Sequence, residues 1–264
     1  MIEIFLLSML LGLIAGLLAG LFGLGGGVII VPMLVWIFSS HNFPEAIIMI
    51  MAVATSLSTI VFTSVASILT HHKLGAIKWD SVKRLSPGIL LGAGFGAIVA
   101  DYIEADILKY FFVAYLLYVS IRMAWPKNNK VKVVGKIRSR IDYFVALGIG
   151  FLSSLLGIGG GTLTVPFLLS RKLAMKNAVA VSSVCGLPIA ISSTVSYIVL
   201  GRTVDLLPEW SLGYIYSPAL AGIIICSVFT APIGAKLANK LPAKQLKRYF
   251  SIVLFLIAFK MILI

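Results

Sequence analysis

Carboxylates are scarce in this chain: nine aspartates and glutamates in 264 residues, against 22 lysines and arginines. None falls inside an apolar run, since Glu3, Glu45, Asp101, Glu104 and Asp106 stand at run ends or in loops. Divalent-cation transport calls for charged oxygen ligands, and proton pumping for a carboxylate or histidine at membrane depth. The chain offers the means of neither; His71 and His72 stand beside Lys73 at a run end, where an interfacial role is expected. Cysteine is equally sparse. Cys185 and Cys226 lie in apolar segments, without the neighbouring cysteines or histidines of a disulfide framework or zinc site. They are expected to be buried packing thiols. Paired carboxylates, a nucleophile elbow and metal-ligand spacing are all missing, which argues against an enzyme. "GLGGGVII" from Gly23 has no Lys-Ser/Thr after its glycines, and Val28 stands where G-x-G-x-x-G needs its last glycine. It is neither a P-loop nor a dinucleotide turn, and no cofactor is expected.

What the chain does have is hydrophobic length. Residues of that kind make up 60% of it and charged ones 12%, and apolar runs cover 4 to 38, 44 to 70, 86 to 103, 107 to 125, 142 to 170, 175 to 200, 211 to 235 and 246 to 264. About 20 apolar residues suffice for one helical span, so the composition predicts an all-α polytopic protein of the cell (inner or plasma) membrane, with the lipid bilayer as its main partner. The opening "MIEIFLLSMLLGLIAG" lacks a basic leader and is expected to be a retained first helix. The formal charge of +13 resides in short loops and not on an aromatic-interleaved face, so it reads as a topology signal and not as nucleic-acid binding.

The chain repeats itself. "GLFGLGGGVIIVPML" from Gly20 returns as "SLLGIGGGTLTVPFL" from Ser154, with Gly23, Gly25 to Gly27 and Pro32 matching Gly157, Gly159 to Gly161 and Pro166 at an offset of 134. Further on, "AVATS" (Ala52 to Ser56) matches "AVAVS" (Ala178 to Ser182), Gly75 matches Gly201, and "GAIVADYIEADILKYFF" from Gly96 matches "GAKLANKLPAKQLKRYF" from Gly234. This predicts a first transmembrane repeat over 1–125, a basic linker over 126–141 and a second repeat over 142–264.

Loop charge sets the orientation, because lysine and arginine collect on the cytoplasmic side. Lys73, Lys78, Lys83 and Arg84 mark one loop of the first half as internal, whereas Asp101, Glu104 and Asp106 crowd the next. In the second half the signs reverse: Asp205 and Glu209 outweigh Arg202, and the following loop carries Lys236, Lys240, Lys244, Lys247 and Arg248. The stretch from Arg122 to Arg140 holds seven basic residues, and Arg171, Lys172 and Lys176 mark one more internal loop. All of these fall inside only if each half crosses an odd number of times. Two inverted repeats, each with three spanning helices plus one glycine-broken re-entrant segment, satisfy that count. Lys260, near the outer C-terminal end, is a mild misfit that snorkelling could absorb.

The glycine runs should interrupt their helices inside the membrane. A helix from about Ile4 to Phe22 would break at "GLGGG" and restart over Val28 to Phe38, too short to cross a core of roughly 30 Å; 142 to 156, "GIGGG" and 162 to 170 repeat the arrangement. A restarting helix presents unpaired N–H groups and a positive dipole end, an anion site that needs no charged side chain. Two inverted copies would aim two such ends at one point. The candidate binding residues are therefore Gly25, Gly26 and Gly27 with Gly159, Gly160 and Gly161, Thr162 as a cap that the first copy lacks at Val28, and the repeat-matched hydroxyls Thr55, Ser56, Ser182 and Ser183. Gly12, Gly16 and Gly20, like Gly88, Gly92 and Gly96, have the four-residue spacing of packing stripes and leave room for a homodimer.

The phrases "GLLAGLFGLGGGVIIVPML" and "GFLSSLLGIGGGTLTVPFLL", each followed by an alanine-serine run, resemble the TauE/SafE family of membrane permeases over essentially the whole chain. That resemblance implies export or uptake of sulfite, organosulfonates or related small anions, and carries over only the glycine phrases and the prolines after them. Together with the residue reading it predicts an exporter of small sulfur-containing anions. Ion-coupled uptake and a scaffold without a transported ligand stay open as alternatives.

Overall fold

The computed structural model describes residues 1–22, 26–124, 139–238 and 243–263. The first half contributes α1 (Ile2–Phe22), α2 (Gly27–Ser40), α3 (Glu45–Lys73), α4 (Trp79–Tyr102) and α5 (Ala105–Ala124). The second contributes α6 (Ser139–Leu155), α7 (Gly161–Ser170), α8 (Met175–Leu200), α9 (Ser217–Ala238) and α10 (Ala243–Leu263). Segments of α1, α3, α4, α5, α8 and α9 are long and apolar enough to cross a membrane, which makes this a multi-pass membrane protein. Helices are the form such sequences must take, because in hydrocarbon every backbone N–H and C=O has to be satisfied within the segment.

Two seams of small residues organise the bundle. Along α1 and α9, a Cβ on Gly12 would stand 2.6 Å from the Ile223 carbonyl oxygen, and one on Gly16 would stand 2.7 Å from Ser227 Cα. Along α4 and α6, Gly88 faces Tyr143, Gly92 faces Leu147 and Gly96 faces Phe151, in each case against backbone. The glycine stripes are thus packing surfaces within one chain. The pairing is reciprocal, since α1 and α6 begin the two halves and α4 and α9 hold matching places in them. Valine at Gly92 would drive its Cβ into the Leu147 carbonyl, and overpacking of this kind costs about 1–3 kcal/mol. Thermal unfolding in detergent should show the Gly92→Val protein melting several degrees earlier.

Helices α3 and α8 pack against each other, and α3 is the most enclosed of the six long apolar helices. Ser58 Oγ lies 3.3 Å from Thr194 Oγ1 across that contact. On the other side α5 packs on α10, with the Ser120 hydroxyl donating to the Ser251 carbonyl at 2.8 Å.

The structure corrects the sequence reading in four places. The run from 211 is not one helix: β1 (Ser211–Leu212) and β2 (Ile215–Tyr216) form an antiparallel hairpin before α9 begins. Its two-residue loop starts at Gly213, whose φ of 57° suits the tight turns of such hairpins. Helix α6 starts at Ser139, inside the expected linker, and the rest of that linker, 126–138, lies outside the described residues. Glycine, and not Thr162 or Val28, caps the two restarting helices: Gly26 precedes α2 and Gly160 precedes α7, neither with a side-chain cap. Finally, α1 is long enough by itself to cross a membrane.

Candidate functional site

Each interrupted helix pair is tied together at its base. In the first, His41 Nε2 at the end of α2 lies 3.6 Å from Glu3 Oε2 in the first turn of α1. In the second, Arg171 at the end of α7 forms an ion pair with Asp142 in the first turn of α6. Asp142 is 2% exposed and Arg171 8%, and the Arg171 guanidinium also sits over the Phe167 ring, 5.4 Å from its centroid. Both pairs are therefore helical hairpins whose glycine breaks are their tips.

The two tips meet. A Cβ on Gly27 would collide with the Gly157 carbonyl oxygen and stand 2.9 Å from Ile158 Cα and 3.1 Å from Ser56 Oγ. Gly157 itself, at φ 64°, leaves its missing Cβ 2.7 Å from Val31 Cγ2 and 3.0 Å from Val53 Cα, so the second tip is inserted between α2 and α3. The Ser56 hydroxyl closes the contact by donating to the Gly157 carbonyl at 2.8 Å. Backbones approach this closely only where neither side carries a Cβ, which explains glycine at both places better than flexibility does.

The other expected site residues fall into three groups. Gly25 lies outside the described residues, whereas Gly26 holds the N-cap of α2 at φ 75°. Gly159 is buried in the second break, Gly160 caps α7 and Gly161 is its first residue. Thr162 lies in the first turn of α7, where Tyr115 of α5 approaches it, yet neither hydroxyl completes a hydrogen bond. Among the matched hydroxyls, Thr55 accepts from the Tyr216 N–H at 3.1 Å, and Ser183 donates to the Val179 carbonyl one turn back at 3.0 Å. Ser182, the repeat mate of Ser56, differs from Thr55 and Ser183: it is 1% exposed and its hydroxyl has no hydrogen-bond partner among the described residues. Thr164, on the same turn as the Gly160 cap, is also buried and without a side-chain partner among them. Its Oγ1 lies 3.0 Å from where a Cβ on Gly160 would stand, and the Ser182 carbonyl 3.7 Å from it.

The electrostatics come from backbone alone. Gly26 O accepts from Ile29 N at 3.0 Å and Ile30 N at 3.1 Å, and Gly160 O accepts from Thr164 N at 2.7 Å, so both helices begin at these glycines. The N–H groups before those bonds have no partner within their own helix and carry the positive ends of two dipoles. No lysine, arginine, histidine or carboxylate occurs in 26–35, 52–64, 156–168 or 178–194. The arrangement can donate hydrogen bonds to an anion; it offers no ionic ligand to a cation.

Sequence reasoning missed the hairpin of β1 and β2. Its Tyr214 hydroxyl donates to Asp101 Oδ1 at 2.6 Å, and burial, followed by that carboxylate, holds the phenol above its ordinary pKa, so it remains the donor. Tyr216 stands edge-on to Phe38 and Phe43, with centroids 5.7 and 5.2 Å away.

A probable membrane transporter protein of Haemophilus influenzae is 38% identical over the full length of both chains. One of Methanocaldococcus jannaschii is 31% identical over 89% of this chain and 86% of its own, and YunE of Bacillus subtilis, also a probable membrane transporter protein, is 27% identical over 92% and 91%. No solved structure matches the chain. The family model described as sulfite exporter TauE/SafE matches residues 8–261, and the chain belongs to that family of membrane transporters.

Proposed function

We propose that the protein exports a small sulfur oxyanion, sulfite or an organosulfonate, across the cell membrane. The observation that carries this is the meeting of two glycine-tipped helical hairpins beside buried hydroxyls that have no partner among the described residues. The halves are read as inverted repeats. Loop charge supports this, and so do the contacts at the base of each hairpin, Glu3 with His41 and Asp142 with Arg171. From Asp142 to Leu155 a helix rises about 20 Å, which sets the second tip near the middle of a core roughly 30 Å thick. On this topology Lys260 is external, and its Nζ sits 4.5 Å from the centroid of Trp36 at the outer end of α2; cation–π contact explains a charge that loop counting could not.

The anion is held at the α7 N-terminus by first-turn N–H groups and the hydroxyls of Ser182 and Thr164. One half then rocks against the other to alternate access. An inside-negative potential favours anion exit by about 2.3 kcal/mol per charge per 100 mV, so export needs no coupling carboxylate. Sulfite as substrate class is supported by the description of the family.

The test is ligand-induced thermal stabilisation of purified protein by sulfite, sulfoacetate, sulfate and phosphate. A ligand at a hundred times its dissociation constant stabilises by about 2.7 kcal/mol. Ser182→Ala should leave the unliganded melting point unchanged, since its hydroxyl has no partner to lose among the described residues, while weakening sulfite binding about tenfold. Ser56→Ala should lower the unliganded melting point instead, because it strips the Gly157 carbonyl of its donor. Stabilisation by no anion, or binding indifferent to Ser182, would sink the proposal.

A further inference from the structure

We infer that the β1–β2 hairpin is the external gate, carried as a rigid part of α8 and latched to the first half by Tyr214 and Tyr216. The inference rests on the topology and alternating access proposed above. It goes beyond them in naming the moving element and its release points.

The hairpin's contacts divide into two kinds. Toward its own half it is docked without clearance. The Tyr214 N–H donates to the Tyr197 carbonyl at 3.2 Å. A Cβ on Gly213 would stand 2.5 Å from the Ile198 carbonyl oxygen, and one on Gly201 2.6 Å from the Gly213 carbonyl carbon. Backbone-on-backbone packing of that closeness does not hinge. Toward the first half the polar contacts are single hydrogen bonds that can be remade: the Tyr214 hydroxyl on Asp101 of α4 and the Tyr216 N–H on Thr55 of α3, beside the T-shaped ring contacts of Tyr216 with Phe38 and Phe43.

Position gives those contacts their meaning. Thr55 is one residue from Ser56, which holds the second tip, so the hairpin reaches from the outer surface to the edge of the central contact. The corresponding connection in the first half, 74 to 78, is only the short loop between α3 and α4 and has no strand. Packing is uneven in the same sense. Ten of the fourteen residues of α2, on the outer side, are buried, against Gly161, Thr164 and Leu168 alone among the ten of α7. The structure is therefore the outward-closed state, with the hairpin as its closure.

Thiol accessibility tests this without reference to any substrate. In a background in which the buried Cys185 and Cys226 are replaced by alanine, Thr59→Cys, one turn beyond the latch on the same face of α3 and buried, reports on the path, and Glu209→Cys, at an exposed position, reports on sidedness. A membrane-impermeant maleimide is added outside intact cells. Glu209→Cys should react at once and Thr59→Cys slowly, and Tyr214→Phe or Asp101→Asn should each speed the second reaction about tenfold, the effect of one charge-assisted hydrogen bond. Bridging Asp101→Cys to Tyr214→Cys with a reducible bifunctional reagent should stop both labelling and flux until the bridge is cleaved. Unchanged labelling in both latch variants, full flux through the bridged protein, or a Glu209→Cys that reacts only from the inside would each overturn the gate. Absence of sulfite binding with latch-dependent labelling intact would count against the substrate alone.

Discussion

Alanine at Gly27 is expected to reduce sulfite efflux from loaded vesicles by at least about a hundredfold, in a protein that still inserts. The added methyl would meet the Gly157 carbonyl, with Ile158 Cα 2.9 Å away. Both are backbone atoms of a buried tip with no rotamer to change, so the two hairpins must part, and displacing a binding geometry by about 1 Å can cost a factor of a hundred. Gly26→Ala provides the contrast. Its nearest neighbours stand 3.4 Å away, at Ala19 Cβ and Ile30 Cδ1, but its φ is 75°. The penalty there is backbone strain of about 1 kcal/mol, read as a lower melting point with efflux retained. If Gly27→Ala transported normally while Gly26→Ala did not, the meeting of the tips would have no functional weight.

Removing the carboxylate of Asp142 should be the most destabilising single change of a side chain. With alanine at that position, Arg171 keeps its charge at 8% exposure and retains the face of Phe167. Breaking one side of a buried pair typically costs about 3–5 kcal/mol, whereas replacing both partners by apolar residues of similar volume is often close to neutral. Asp142→Ala should therefore melt much earlier than Asp142→Leu combined with Arg171→Met. Glu3→Ala should melt almost normally, because Glu3 is largely exposed and lies 3.6 Å from His41, the regime in which ion pairs contribute little. Equal losses at Asp142 and Glu3 would show that the second hairpin is not held by its base.

These contrasts mark how far the sequence could be read. The helical breaks were legible because a run of glycines inside an apolar stretch has few physical uses, and its recurrence at a fixed offset excluded chance. The stripes at Gly88, Gly92 and Gly96 were legible from spacing alone. The pairing of Asp142 with Arg171 was not: each looked like an ordinary end-of-segment charge, and only closure of the α6–α7 hairpin brings the two together. Ser56 and Ser182 are indistinguishable by pattern, yet one hydroxyl is hydrogen-bonded to the opposite tip and the other has no partner among the described residues. That asymmetry arises from packing between halves, which periodicity within one segment cannot encode. The β1–β2 hairpin left a faint trace, Gly213 followed by the short run Tyr214, Ile215 and Tyr216, but its hydrophobic residues merged with those of α9.

The seam between α1 and α9 bears on how the protein is made. Residues 2–22 leave the ribosome well before Ser217–Ala238, the helix that covers Gly12 and Gly16. At about 5–20 residues per second, α1 waits on the order of 10–40 s for its partner, its narrow glycine groove open to lipid or to whatever chaperone attends insertion. Assembly of the two halves is therefore a late event in synthesis, and a chain truncated before α9 would be inserted but unable to close.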